Sequence, residues 1–383
     1  CFHYINLIVS MKKNKINYIT YQTFPSRKAN TIQTMDNIKY FEKNGFEVEL
    51  TFPLREKLST SDKKILKDYY PISDKLIING EKHKLPFGKI FILEKFLFLI
   101  SHFLWSWKIS KKFKNDDSVN FTRSDWIFYF LSRKNLHVIF ECHQLSKIRK
   151  WILKKAIKNQ KSKIIFLNSQ LLIDSKIDNP EQKLRLLVVS NGVDSELFDH
   201  GVNKNKGQIL FLGNIKRFND DRNLKFIIDC FKAEEIQENF NLKIIGGDYS
   251  SVKNLTAYVE SNSLSQKIDI LENVSREEAM TYLESSEIGL LINSESNKHS
   301  THYTSPLKYF EYLYGGLKIL AVDFPAHKGL PFSDNIIYFK NNDSKSFKNA
   351  LYKIDQTKQL DKSLLNEVTL DSRIKKIIQF INS

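Results

Sequence analysis

From Lys15 onward, short runs rich in β-branched and aromatic residues alternate with longer stretches in which apolar positions recur every three or four residues. That order builds parallel sheets with helices on both faces. The first run is 16–21. A loop over 22–30 then leads to a helix carrying Ile32, Met35, Ile38 and Phe41 on one face, with Gly45 where a left-handed C-terminal residue is wanted. Further strands are expected at 46–52, 118–122, 137–142, 163–168 and 186–190, completing one doubly wound domain over 11–198. The polar segment 199–206 reads as a strandless linker. Beyond it, strands at 208–212, 241–245, 268–271, 288–292 and 318–322 alternate with helices near 223–231, 251–261, 275–283 and 306–314, a second domain over 199–360. In 361–383 the spacing of Leu364, Leu365, Val368, Ile374, Ile377, Ile378 and Phe380 predicts one terminal helix over 363–381. No internal repeat is visible. Ligands of such folds bind at the carboxyl ends of the strands, so the two domains are expected to face a central cleft.

The length of 383 residues supports two cores rather than one. With 42% hydrophobic and 27% charged residues, wholesale disorder and fibrous architecture are excluded. Three scattered cysteines, Cys1, Cys142 and Cys230, build neither a disulfide framework nor a Cys-x-x-Cys site, which fits a reducing compartment. The net charge of +16 is uneven. Residues 1–200 hold 35 Lys and Arg against 20 Asp and Glu, whereas 201–383 hold 24 against 23. Lysine-favouring coding would explain the total, but the asymmetry points to an anionic partner of the first half: a phospholipid surface, a phosphorylated acceptor or nucleic acid. No RNA- or DNA-binding motif accompanies the charge, so nucleic acid is not expected. The most apolar stretch, 85–107, is interrupted by Lys89, Glu94, Lys95 and His102 and lacks the uninterrupted span of about 18 residues that a bilayer requires. Followed by Lys108, Lys111, Lys112 and Lys114, it suits either an interfacial helix on an anionic leaflet or a buried helix with a solvated end. Residues 1–10 lack an initiator Met and a basic n-region, while Met11 reads as a natural start; the opening is set aside from the fold.

The segment YTSPLKYFEYLYGG over 303–316 carries the most chemistry. Ser305 reads as an N-cap and Pro306 as a first helical residue, so a helix start with a positive dipole end is expected there, a natural seat for a diphosphate. Glu311 follows on the same helix, and a carboxylate there can accept from a vicinal diol such as a ribose. Gly315 and Gly316 end the helix. Metal-binding Asp-x-Asp and His-Glu-x-x-His, a Gly-x4-Gly-Lys-Ser/Thr phosphate loop and a Gly-x-Ser-x-Gly elbow are all missing from the sequence, so no metal site is expected.

Other stretches stand at strand ends in a telling order: Ser26 to Thr31 before the first helix, Glu141-Cys142-His143, Ser190 to Asp194 with Phe198, Gly213-Asn214, Ile245-Gly246-Gly247, then Ser305-Pro306-Leu307-Lys308 with Glu311-Tyr312. From about Lys15 to Lys353 the chain resembles the GT-B glycosyltransferases of the family 4 type, in the branch with a Ser-Pro-Leu-Lys-x-x-Glu-Tyr motif. The resemblance implies an α/β GT-B fold of two Rossmann-like doubly wound parallel-sheet domains, with the terminal segment crossing back to the first. It implies retaining transfer of a sugar from a nucleotide-sugar co-substrate, with no cofactor or metal, to a glycan or lipid-linked acceptor. Glu311 would contact the donor ribose, and the backbone of Thr304, Ser305 and Leu307 would face the diphosphate. Lys308, Gly213, Asn214 and Gly246 belong to the same donor site. The family's first acidic residue falls at Tyr303, which leaves Glu295 and His302 as candidates for holding the donor sugar. Of the cations after Gly213-Asn214, which are Lys216, Arg217 and Arg222, the second-domain counter-charge to the leaving diphosphate is assigned to Arg222 and Lys216. His143 matches a family histidine that reaches the donor sugar or its phosphate, and Arg27, Lys28, Ala29 and Asn30 match the acceptor loop. Donor base, sugar and linkage depend on the loops around Asn273, Val274 and 26–30. The expected setting is lipopolysaccharide or capsule assembly in the cytoplasm, peripheral on an anionic membrane surface at its inner face. The competing expectation is a non-catalytic nucleotide- or carbohydrate-binding scaffold.

Overall fold

The computed structural model describes residues 15–83, 94–198, 201–217, 220–357 and 360–383; the opening set aside above, with Met11, the part of the apolar stretch before Glu94 and linker positions 199 and 200 lie outside them. Two compact units emerge. Unit 1 comprises the chain up to Phe166, Asp174–Leu187 and Ile374–Ser383; unit 2 comprises Leu167–Ile173 and Val188–Arg373.

Unit 1 is a seven-stranded parallel sheet in the order β3-β2-β1-β4-β5-β6-β7. Its strands are β1 (Lys15–Ile19), β2 (Glu47–Leu54), β3 (Ile77–Lys82), β4 (Val119–Thr122), β5 (Val138–Cys142), β6 (Ser162–Phe166) and β7 (Leu186–Val188). The register puts Tyr18 beside Leu50 on one side and Phe121 on the other. β4, β5 and β6 are buried at every position, as strands covered on both faces must be. Edge strand β3 has no counterpart in the sequence reading, because its Asn-Gly-Glu-Lys half gives no apolar alternation. Asn79 Nδ2 ties it to Glu49 Oε1 at 2.5 Å. The helices used below are α1 (Ala29–Lys43), α2 (Glu94–Ser110), α3 (Asp125–Arg133) and α4 (Lys147–Ala156). Ser124 and Ser146 cap α3 and α4 through their hydroxyls, which accept from Ile127 N and Arg149 N.

Unit 2 is a six-stranded parallel sheet, β12-β11-β8-β13-β14-β15, plus the antiparallel hairpin β9 (Lys216–Arg217) and β10 (Asp220–Asp221). Its long strands are β8 (Asn205–Leu212), β11 (Asn241–Ile245), β12 (Ile268–Leu271), β13 (Ser286–Leu291), β14 (Lys318–Val322) and β15 (Ile336–Phe339). Along β8, Ile209 and Phe211 enter one core cluster and Leu210 and Leu212 the other, so both faces are packed. β8 begins at Asn205, and the linker read as strandless through 206 is shorter than expected: Asn205 pairs with Ser286 and Gly207 N donates to Glu287 Oε2 at 2.6 Å. Edge strand β15 and the hairpin likewise have no counterpart in the sequence reading.

The single terminal helix expected over 363–381 is broken. A short helix, Lys362–Leu365, passes through a 3-10 turn, Asn366–Val368, before α6 (Leu370–Asn382) begins, where α5 denotes Leu307–Tyr314. Thr369 is extended because it bridges Val193: Val193 N donates to Val368 O at 3.0 Å and Leu370 N to Val193 O at 2.8 Å. Gly192 admits this approach, since a Cβ there would stand 2.9 Å from the Thr369 carbonyl carbon. At the far end, Lys163 Nζ donates to the carbonyls of Phe380 (2.6 Å) and Ile381 (3.2 Å), satisfying the last turn of α6. Among the described residues no helix is long and apolar enough to cross a membrane.

Candidate functional site

In unit 2 the candidate residues gather where β8, β11 and α5 end or begin. Gly213 follows β8 at φ +154° and Gly246 follows β11 at φ +118°. The two turns touch: a Cβ on Gly246 would lie 2.7 Å from Gly213 O, and Gly213 N donates to Ile245 O at 2.8 Å. Only glycine gives that backbone conformation and that approach together. Asn273 closes the neighbouring turn with two bonds, accepting from Gly247 N at 3.2 Å and donating to Gly247 O at 2.9 Å. Asn214 is exposed beside Gly213.

Helix α5 is fixed under these turns by Tyr312. Its ring packs on Gly289 of β13, where a Cβ would stand 2.4 Å from the ring, and its hydroxyl accepts from Leu212 N at 2.9 Å, one residue before Gly213. Burial pushes the Tyr312 hydroxyl well above the usual phenol range; Glu311 adds to the rise and Arg222 opposes it, so an anion and a cation both stand within electrostatic reach of this anchor. Glu311 is buried, and Lys308 Nζ meets its Oε2 at 2.6 Å one turn back. The planar end of Arg222 lies 5.9 Å from the Phe211 ring, and its Nη1 lies 3.5 Å from where a Gly213 side chain would begin. Lys216 sits on the hairpin opposite Asp221, exposed; it adds to a lowering of the Asp248 carboxyl caused first by the Ser251 amide and hydroxyl.

One local expectation is corrected. Ser305 does not cap α5: the helix begins at Leu307 with Pro306 as the flanking residue and no side-chain cap. The Ser305 hydroxyl instead accepts from Asn191 N at 3.1 Å, and its carbonyl accepts from Asn191 Nδ2 at 2.5 Å. The serine is committed to the Asn191 turn, and the Leu307 and Lys308 amides stand in the first turn, where an α-helix supplies no partner of its own. Thr304 is buried, and so is Tyr303 at the end of the π-helical turn His299–Tyr303, with Lys298 Nζ 5.4 Å from its ring centroid. His302 Nδ1 pairs with Thr301 Oγ1 at 2.7 Å and its carbonyl accepts from Asn168; Glu295 is exposed.

In unit 1 the candidates converge through a residue that sequence reasoning missed. Arg123 follows β4 and is nearly buried. Its Nη1 donates to Asn30 O at 3.1 Å; its Nη2 donates to Gln33 Oε1 at 3.0 Å and to His143 Nδ1 at 2.9 Å. An arginine cannot accept, so Nδ1 carries no proton and the Nε2 proton points at Glu141 Oε1, with which His143 makes a very short contact. Both ring nitrogens of His143 are thus held within unit 1. Burial pushes the intervening Cys142 thiol up to about 12, which removes it as a nucleophile. Arg27, Lys28, Ala29 and Asn30 are all exposed at the start of α1, and Arg27 lies 5.8 Å from the Tyr69 ring. The signal that could have revealed Arg123 is its position: a lone arginine directly after a fully buried strand. Among the described residues no group of three His, Cys, Asp or Glu stands as metal ligands.

No family model and no curated protein matches the sequence. Solved structures do. The chain is similar to the apo form of the lipopolysaccharide outer core galactosyltransferase WaaB (14% identity, 96% of this chain and 99% of that one, TM-score 0.63). It is similar to the sucrose-phosphate synthase tll1590 from Thermosynechococcus elongatus (12%, 96% and 98%, TM-score 0.69). A third likeness is to an E. coli trehalose-6-phosphate protein bound with UDP-2-fluoro glucose (10%, 97% and 99%, TM-score 0.65). Two all-parallel sheets of seven and six strands, matched over nearly the whole chain, identify the GT-B fold.

Proposed function

We propose that the chain is a glycosyltransferase of the family 4 type that moves a sugar, with retention and without a metal, from a nucleotide sugar to a glycan or lipid-linked acceptor in cell-surface polysaccharide assembly in the cytoplasm. The observation that carries this reading is the pairing of Glu311 with Lys308 in the first turns of α5, beside Arg222 and Gly213. Lys308 holds one carboxylate oxygen, which leaves the other to accept from a ribose diol. The Leu307 and Lys308 amides and the Gly213 turn receive the diphosphate. As the bond from the sugar's anomeric carbon to the diphosphate oxygen breaks, charge grows on the diphosphate, and Arg222 with Lys216 opposes it. The acceptor hydroxyl attacks from the same face and passes its proton to the departing phosphate oxygen. Unit 1 takes the acceptor along Arg27–Asn30, with Arg123 and Glu141 fixing His143. The architecture shared with WaaB and with a protein that binds a UDP-sugar supports the substrate class.

Thermal shift with UDP, GDP, ADP and CMP identifies the base, because a ligand held by the folded state alone raises the midpoint. With the matching nucleotide sugar, Glu311→Ala is expected to lose on the order of 100-fold in transfer while its own melting midpoint stays near wild type. Undiminished transfer by that variant would remove the reading. Buried Tyr303 at the first acidic position favours the scaffold alternative, which nucleotide binding without turnover over a broad donor and acceptor panel would establish.

A further inference from the structure

We propose that the outer surface of α2, continued across α3 and α4, is a docking face for an anionic lipid bilayer. Helix α2 is amphipathic with its faces reversed. Ser101, His102, Ser106 and Ser110 are turned into unit 1 along with Trp105 and Ile109, whereas Phe96 is 61% exposed, Leu99 50%, Leu104 44% and Trp107 48%. A helix whose outer face meets only water shows the opposite arrangement, and a contiguous apolar surface of this kind marks a partner.

The surface does not stop at α2. Phe103 meets Trp126 of α3 edge-on at 4.8 Å, Trp126 lies 5.9 Å from Tyr129, and Tyr129 lies 5.5 Å from Trp151 of α4. Trp151 is half exposed beside Ile148. Three helices therefore share one aromatic row. Cations border it: Lys108 and Lys111 at the end of α2, and Lys147, Lys154 and Lys155 along α4, all exposed. Lys111 Nζ stands 3.3 Å from the Trp107 ring centroid, which brings a charge to the rim of the apolar surface.

An apolar centre with tryptophan and lysine at its margin matches a leaflet in which hydrocarbon lies beneath anionic headgroups. The rings and lysines would serve either partner, but the exposed aliphatic side chains of Leu99, Leu104 and Ile148 among them gain nothing from a nucleic acid and are covered by hydrocarbon, which favours lipid over an oligonucleotide. The face uses none of the Arg123, Glu141 and His143 cluster and stands whether or not the glycosyl-transfer reading holds.

Flotation of the full chain with vesicles of phosphatidylcholine alone, and of phosphatidylcholine with about one-third phosphatidylglycerol, tests it. Capture is expected on the anionic vesicles, at least about tenfold above the neutral ones, with a blue shift of tryptophan emission. The triple variant Leu99→Ser, Leu104→Ser, Trp107→Ser changes only exposed side chains; its capture should fall about tenfold or more at an unchanged melting midpoint. A second variant, Lys108→Glu with Lys111→Glu, should lose the preference for anionic vesicles while the apolar residues remain. The proposal is overturned if wild type stays unbound to anionic vesicles or if the triple variant binds as wild type does. It is equally overturned by capture of an oligonucleotide in place of vesicles, or by a dimer that the triple variant dissolves while no vesicle is bound, which would give the face to a second copy of the chain.

Discussion

Both sheets finish, at the carboxyl ends of their central strands, in a cluster of polar groups, yet the two clusters are made from different parts. After β8 and β11 the chain turns through Gly213 and Gly246, and what the ends present is mainly backbone. After β4 and β5 the ends present side chains instead: Arg123, Glu141 and His143, tied to Asn30 and Gln33 of the first crossover. The same doubly wound layout therefore supports two recognition styles. Close-approach glycines suit a ligand gripped through its phosphates, which every nucleotide sugar shares, whereas a side-chain network suits a ligand distinguished by the placement of its hydroxyls. Charge follows the same division, with the excess of cations lying in the first half of the sequence.

The largest expected effect falls on the backbone-built end. Gly289 lies under the Tyr312 ring, and a Cβ there would meet the ring at 2.4 Å and Tyr312 Cβ at 3.0 Å. Gly289→Ala should force Tyr312 out, break its bond to Leu212 N and destabilise unit 2 by about 3 kcal/mol. Urea unfolding checks this. In a double-mutant cycle, Tyr312→Leu should relieve part of the loss; strictly additive losses would mean that the ring is not the obstacle, and the anchoring of α5 beneath the Gly213 turn would need another cause.

Central strands of both sheets could be read from the sequence because they are largely buried and carry short apolar runs, Val138–Phe140 in β5, Ile164–Phe166 in β6 and Ile209–Leu212 in β8. β3 and β15 could not: they are edge strands with half-exposed residues, and their pairing comes from the neighbour strand rather than from their own pattern. Helix α5 was legible, but the role of Ser305 was not, because the competing partner, Asn191, is distant in sequence and reaches the serine only in the fold. Arg123 was hidden for the same reason: its acceptors come from the first turns of α1 and from His143, directly after β5, all distant in sequence. In α2 the spacing was clear while the direction of each face was not, since a stripe of serines can be buried when their hydroxyls find partners, as Ser101 does with Tyr21 at 2.8 Å.

A smaller effect belongs to unit 1 and is read by pH. Burial holds the His102 ring down at about 4, with Arg149 and Arg55 lowering it further and Asp125 opposing. His102 Nε2 pairs with Ser124 Oγ at 2.7 Å, and Tyr21 stacks on the ring at 4.3 Å. The folded chain therefore keeps this imidazole neutral. Below its ordinary value of 6.5 the unfolded chain takes up a proton that the folded chain refuses, so stability is full above that value and falls as the pH drops towards 4. The loss attributable to this group is at most about 3 kcal/mol, less where the helix yields. His102→Gln should flatten the slope of stability against pH in that window relative to wild type. Equal slopes would show that the ring titrates freely, and α2 would then not be seated through this side chain.

The finest probe of the division between the two strand ends is Arg123→Lys. The guanidinium reaches Asn30 O, Gln33 Oε1 and His143 Nδ1 from one plane, and an ammonium on a flexible stem cannot serve three such directions at once. Charge is kept and geometry is lost. With His143 Nδ1 no longer held by a fixed donor, the ring can turn, and the proton on Nε2 is no longer directed at Glu141. The start of α1, which carries the exposed Arg27–Asn30 segment, loses its tie to β4 in the same step. Transfer is expected to fall about tenfold, or about 1.4 kcal/mol, mainly through a higher KM for the acceptor. The midpoint shift given by the nucleotide should stay as in wild type, because no group that contacts it in the proposed arrangement has changed. A nucleotide shift that shrinks in step with the transfer rate would show that this arginine serves the donor, and the assignment of side-chain recognition to one sheet and backbone recognition to the other would have to be reversed or merged.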